Sequence, residues 1–283
     1  MSVIELEVTN EEYHADRTCV SNTGKECFRR SQATYFGMYV AGTIPWPKPT
    51  DALRMGIWSH TCVLEHERWQ SEYICGPTGI DRRTKVGKEA AAAFELQAGN
   101  REVVPFDDFQ VVERIRQACM DNELAWNLLM MPGQVEHSFK WQDTTGMWLK
   151  SRPDKTFSAA FAGSDVILDL KTCEDASPEG FAGACRAHGY HRTAAFRVMG
   201  HEAWTGNRAR YLFLAVSKKD YAVGLYELQP NEIELGHKEN RRILDRMAAC
   251  YESGDWEPSW SKTVNQLSYP QWAFTNSEAW EVD

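Results

Sequence analysis

The sequence predicts one α/β (or α+β) domain, with a helical N-terminal part followed by a sheet. Two observations carry this reading. Hydrophobic periodicity is helical through about Met131 and then switches to the alternation Val135, His137, Phe139, Trp141, with Glu136, Ser138 and Lys140 between. Thereafter short apolar runs alternate with one helical stretch, the pattern of a sheet packed against helices.

Each element follows from local chemistry. Thr9 with Glu12 forms a capping-box pattern that opens a short helix. Ser21 can cap a second helix, which carries Phe28, Arg29 and Arg30. Pro45, Pro47 and Pro49 forbid a helix interior and mark a loop. Asp51 then caps a helix to about Glu65, with Leu53, Ile57, His60 and Leu64 on one face. Residues 86–98 have high helix propensity through Ala90 to Ala93. Phe109, Val112 and Ile115 begin an amphipathic helix that ends near Met131-Pro132-Gly133. The alternating stretch, the turn Asp143-Thr144-Thr145-Gly146, and Met147 to Phe157 read as a β-hairpin. Val166 to Leu170 is a short apolar strand, Pro178 to about Trp204 a helix, and Arg210–Val216 and Tyr221–Leu228 two further strands. Asn231 starts a last helix to about Tyr251, and the tail with Trp256, Trp260 and Trp272 is irregular and aromatic. The chain thus divides into a helical part at about 1–131, a sheet core at about 132–230, and a helix with its tail at about 231–283.

Composition bounds the function. The chain has 283 residues, 43% of them apolar and 25% charged, which is ordinary for a globular protein and unlike a disordered one. A net charge of −9 argues against indiscriminate coating of nucleic acid, though charge can be segregated on the surface. No run reaches the length of a membrane span. The N-terminal MSVIELEVTNEEYH lacks a basic segment followed by an apolar one, so no secretory signal is expected. The eight cysteines contain no CxxC pair and read as reduced thiols of a cytoplasmic protein, many of them buried.

The chemistry concentrates at Ser151-Arg152-Pro153-Asp154 and, fourteen residues later, Asp169-Leu170-Lys171. Asp169 and Lys171 lie two apart on a strand and leave the same face. A hairpin would bring Asp154 beside Asp169, so that two carboxylates and an ammonium converge at the edge of a sheet. Close carboxylates repel and favour a divalent cation between them, and oxygen donors suit Mg²⁺ or Mn²⁺. Such a cation lowers the pKa of bound water and neutralises a scissile phosphate, and a lysine there can orient the nucleophile or stabilise the transition state. The competing reading is a solvated Asp–Lys pair, against which stands the cost of unpaired charge in so apolar a strand.

The chain here resembles the PD-(D/E)XK nucleases, and more closely the RecE-type exonucleases (exonuclease VIII) of phages and prophages. Besides PD…DxK, Met55-Gly56-Ile57-Trp58-Ser59-His60 resembles that family's Gly-x-x-x-His helix. Arg82-Arg83-Thr84-Lys85-Val86-Gly87-Lys88 resembles its Arg-Thr-Lys-x-Gly-Lys segment, and Val166 to Thr172 its hydrophobic-Asp-x-Lys-Thr strand. The resemblance spans about residues 18–230. It implies a central mixed β-sheet flanked by helices, a metal shell of His60, Asp154, Asp169 and the Leu170 carbonyl holding two Mg²⁺ or Mn²⁺ ions, and Lys171 as catalytic lysine. Glu136 is a candidate outer-shell acid, and Glu65 a surface acid. The family's Gln-x-x-x-Tyr is here Thr193 and Arg197, four apart on one helix face, with Arg197 able to grip phosphate.

Arg82, Arg83, Lys85 and Lys88 form a candidate phosphate clamp, with Gly87 permitting close backbone approach. Arg29 and Arg30 are weaker candidates for a terminal phosphate. By resemblance the protein is a metal-dependent exonuclease in a bacterial host cytoplasm. It would resect double-stranded DNA ends to 3′ overhangs for a RecT-like annealing protein, and assemble as a homo-oligomeric ring. The alternatives are an end-binding or scaffold protein of the same fold, an acidic interaction protein with a coincidental motif, and an iron–sulfur nuclease. The last needs a late cysteine cluster, and only Cys250 lies beyond Cys185.

Overall fold

The computed structural model describes residues 2–161 and 164–269. Strand β1 (Val3–Leu6) leads to helix α1 (Asn10–Ala15), where Thr9 Oγ1 accepts from the Glu12 amide and Glu12 accepts from the Thr9 amide, as the capping box requires. β2 (Val20–Ser21) runs into α2 (Asn22–Arg30), capped by Ser21 as expected, and α3 (Gln32–Tyr35) continues as a π-helical turn, Phe36–Val40. The proline segment carries no regular structure. In α4 (Asp51–Leu64) the cap is Thr50, one residue earlier than expected, and Asp51 stands in the first turn where its charge favours the helix dipole. Then come α5 (His66–Glu72), β3 (Tyr73–Cys75), α6 (Lys85–Ala98) and β4 (Glu102–Val104), with β3 and β4 paired in parallel. The single helix expected next is two, α7 (Phe106–Asp121) and α8 (Glu123–Met130). The break is at Asn122, whose side chain accepts from the Ala125 amide and so caps α8.

The sheet region departs from a simple hairpin. β5 (Gln134–Val135), β6 (Ser138–Gln142), β7 (Trp148–Ser151) and β8 (Lys155–Phe161) are separate strands, because both arms of the hairpin change sheets partway. β6 and β7 pair with each other within the sheet β1-β6-β7-β2. β5 and β8 belong to a second sheet, completed by β9 (Ser164–Cys173), β10 (Ala209–Ser217) and β11 (Val223–Glu227), in the order β11-β10-β9-β8-β5. One crossing is Glu136, held at φ 50°. The other is Arg152-Pro153-Asp154, where the proline has no N–H for a ladder. The N-terminal part is therefore not wholly helical, since β1 and β2 flank the β6–β7 pair.

β9 is the middle strand of its sheet, not an edge: it runs antiparallel to β8 and parallel to β10, so the sheet is mixed. Both its faces are covered. Val166, Leu168 and Leu170 pack with Ile115, Leu128 and Leu214, while Ile167 packs on the other face with Ala194, Val198, Tyr211 and Phe213. Asp169 and Lys171, two and four residues beyond Ile167, share this second face. Over that face lie α9 (Pro178–His188) and α10 (Tyr190–Thr205), one expected helix divided at Gly189 with φ 67°. α11 (Pro230–Ser253) packs beside α10. All eight cysteines are free. Trp256 is buried and stacks on Tyr35 and Phe36, Trp260 is exposed, and Trp272 lies outside the described residues. Among the described residues, no helix is long and apolar enough to cross a membrane.

Candidate active site

The two crossings between sheets face α4 across a cavity of about 380 Å³, lined among others by Gly56, Ile57, His60, Glu136, Arg152, Asp154 and Arg197. Of the residues expected on one face of α4, Leu53 and Ile57 are 55% and 40% exposed on the cavity and His60 lines it too, whereas Leu64 packs against the core beside Val63, and Trp58 and Cys62 are buried. α4 thus carries His60 to the cavity floor, where Nε2 lies 2.9 Å from the Leu170 carbonyl and Nδ1 3.4 Å from Asp154 Oδ2. Glu65, expected as a surface acid, also lines the cavity and pairs with Arg68 at 3.0 Å.

Asp154, at the mouth of β8, accepts the Leu170 amide on Oδ2 at 2.9 Å. That bond ties the PD crossing to the DxK strand. Lys171 Nζ donates to Asp169 Oδ1 at 2.6 Å, as residues two apart on one face allow. The structure therefore brings together His60, Asp154, Asp169, Leu170 and Lys171, from an α4 helix more than a hundred residues upstream of the strand.

Glu136 joins them. One ligand atom each of His60, Glu136 and Asp154 lie within 4.8 Å of one another, and Asp169 is outside this set. A nitrogen and two carboxylates around an open cavity, beside the Leu170 carbonyl, is a donor set that fits Mg²⁺ or Mn²⁺. Burial, and then the charge of Asp154, push the Glu136 carboxyl up to about 7, against the opposing pull of Arg152, which donates to it at 2.9 Å. Burial followed by the charge of Asp169 likewise raises Asp154. Asp169 moves the other way: burial opposes its charge, but Arg197 and Lys171 hold it well below the usual carboxylate range.

Arg197, expected to grip phosphate, is held by the chain's own acids. Its guanidinium donates to Asp154 Oδ1 at 2.9 Å, to Asp169 Oδ1 at 2.6 Å and to the Tyr211 hydroxyl at 3.1 Å. The reason is topological: Asp169 on β9 and Asp154 at the crossing into β8 put two buried carboxylates beneath α10, and an arginine fork matches them. Arg197 lines the cavity, whereas Asp169 and Lys171 do not. Thr193, one turn earlier, lies outside the cavity lining and accepts from Asn22 Nδ2 at 3.1 Å.

The basic segment is not brought to the cavity. Arg82 pairs with Glu95 at 3.1 Å, Arg83 with Asp81 at 2.9 Å and Lys85 with Glu89 at 4.0 Å, and none of these, nor Lys88, lines it. Gly87 does permit a close approach, but of the chain's own Asp81 carbonyl, which would stand 1.9 Å from an added Cβ. Arg29 and Arg30 line a second cavity of about 260 Å³ with Arg242, Arg246 and Trp260. Sequence reasoning missed Tyr211, which donates to Asp169 Oδ2 at 2.9 Å, and the Arg152–Glu136 pair. A tyrosine hydroxyl inside an apolar strand that neighbours the DxK strand was the available signal for the first.

Twelve chains of known structure match this one. A crystal structure from Eubacterium rectale described as a "Putative exonuclease" aligns with a TM-score of 0.61 and 16% identity over 95% of this chain and 98% of its own, a likeness of fold. Another, described as SSO0001, aligns at a TM-score of 0.28 and 11% identity over 67% of this chain and 86% of that one. No curated protein matches. The central mixed sheet flanked by helices is the PD-(D/E)XK architecture expected from the sequence. Residues 25–267 match a family model described as a PDDEXK-like domain of unknown function, DUF3799, and the chain belongs to that family.

Proposed function

We propose that the protein is a metal-dependent deoxyribonuclease that degrades linear DNA from its ends. The observation that carries this is the convergence of His60, Glu136 and Asp154 on one cavity, with the Leu170 carbonyl 2.9 Å from His60 and Asp169–Lys171 immediately behind. His60, Glu136 and Asp154 would hold Mg²⁺ or Mn²⁺, which when bound supplies an acidified water and neutralises phosphate charge. Arg152 keeps Glu136 turned toward the cavity, and the Leu170 amide does the same for Asp154 Oδ2. Lys171, held on Asp169 outside the cavity lining, is assigned to transition-state stabilisation on the strength of the family resemblance alone.

Double-stranded ends as substrate, 5′–3′ resection to 3′ overhangs, a RecT-like annealing partner and a homo-oligomeric ring belong to this proposal, on the strength of the RecE-type resemblance. A second reading, an end-binding protein with weakened cleavage, is favoured by one observation: the hold of Arg197 on both aspartates. Linear duplex DNA labelled at the 5′ or the 3′ end, incubated with Mg²⁺ or with EDTA, separates the two. Mg²⁺-dependent loss of the 5′ label first supports the nuclease. DNA retained but uncut under both conditions sinks it and leaves the binding protein. A monomer by light scattering at micromolar concentration removes the ring.

A further inference from the structure

We infer that the site takes one divalent cation, and that the guanidinium of Arg197 holds the place a second would take between Asp154 and Asp169. This rests on the proposed reading of the cavity as a metal site, and it departs from the two ions that the family resemblance implies. Two carboxylates brought together need a cation between them, and here the chain supplies its own. Arg197 spans them with Nη2 on Asp154 Oδ1 at 2.9 Å and Nη1 on Asp169 Oδ1 at 2.6 Å. The Tyr211 hydroxyl, 3.1 Å from Nη1, holds the fork from a third side.

Asp169 is committed on both oxygens. Oδ1 also takes Lys171 Nζ at 2.6 Å, Oδ2 takes the Tyr211 hydroxyl at 2.9 Å, and the residue is 0% exposed. A dication on the same pair would stand within a few ångströms of the guanidinium, in surroundings where like charges repel far more strongly than in water. Asp154 is shared between the two positions. Oδ1 faces Arg197, while Oδ2 accepts the Leu170 amide at 2.9 Å, lies 3.4 Å from His60 Nδ1 and, with a lone pair left over, belongs to the His60–Glu136–Asp154 group. That group keeps its donors for one ion, and Arg197 with Lys171 already balances the two aspartates without it. The arginine stands where the family resemblance puts a neutral tyrosine, so the chain's own departure from that pattern brings the positive charge.

The test is to count Mn²⁺ bound per chain by calorimetric titration and electron paramagnetic resonance on the full-length protein, in wild type, Arg197→Met and Arg197→Lys. Methionine keeps much of the volume without the charge, and lysine keeps the charge. The expected result is one Mn²⁺ in wild type and in Arg197→Lys, and two in Arg197→Met. The second ion should be lost again when Asp169→Asn is added. If Arg197→Met does not fold, by circular dichroism and gel filtration, Arg197→Gln takes its place. Two ions in wild type, or one in the folded neutral variant, would overturn the inference while leaving the metal site intact. No bound Mn²⁺ in wild type would instead refute the proposed function itself.

Discussion

Replacing Glu136 by glutamine tests the electrostatics of the cavity without touching its shape. The carboxyl rises from the ordinary 4.5 to about 7, through burial first and the neighbouring Asp154 charge second. At about 1.4 kcal/mol for each tenfold change in proton affinity, that rise corresponds to about 3 kcal/mol against the charged form. The sign follows from proton binding. Below pH 4.5 the acid is protonated in folded and unfolded chains alike and contributes nothing. Between 4.5 and about 7 the unfolded chain gives up the proton and the folded one keeps it, so stability falls as pH rises. Above 7 the whole penalty is present. Glu136→Gln removes this titration, while its amide oxygen can still accept from Arg152. Urea unfolding in EDTA at pH 4 to 8 should therefore show the mutant gaining on wild type by about 3 kcal/mol across that range, with the gain complete by pH 8. Adding Mn²⁺ at pH 8 should stabilise wild type more than the mutant, since the ion binds the ionised acid. A constant difference between the two proteins at all pH values would refute the reasoning, and with it the placement of Glu136 in a buried, negatively charged site.

Other expectations follow from the same geometry. Lys171→Ala and Asp154→Asn should each cut Mg²⁺-dependent cleavage by roughly a hundredfold or more, the scale of losing one electrostatic contact in a transition state; near wild-type turnover in a folded variant removes that residue from the chemistry. Gly87→Ala should lower stability by about 1–3 kcal/mol, because the added Cβ meets the Asp81 carbonyl, while leaving DNA affinity unchanged; an unaltered melting curve contradicts the self-closed turn. Arg30 and Arg242 have no hydrogen-bond or ion-pair partner for their side chains among the described residues. Replacing both with alanine should shallow the salt dependence of DNA binding by up to about two phosphate contacts. The triple change at Arg82, Arg83 and Lys85, each already paired within the chain, should do less, and the reverse order would return the DNA path to segment 81–88.

The sequence by itself determined the elements whose causes are local. Thr9 and Ser21 cap their helices because a hydroxyl three residues before an amide suffices. The short apolar run around Asp169 favours a strand, and in a strand two-residue spacing puts Lys171 on the same face as Asp169. His60, Asp154 and Asp169 could be singled out because their residue types and order match a known pattern. Tertiary structure decided what depends on partners distant in the chain. The hairpin at 135–157 splits between two sheets because β1 and β2 claim its upper half, and β9 claims its lower. That split turns Glu136 into the cavity and makes it one of the candidate donors. Helical spacing puts Leu53, Ile57 and His60 on one face, but only the packing of α4 through Trp58 and Cys62 shows that this face borders the cavity. Arg197 is the clearest case. Its charge and helical position suggest a phosphate, and only the packing of α10 over β9 and the crossing into β8 shows aspartates 2.6 and 2.9 Å from it, a pairing strengthened by burial that a linear sequence does not display.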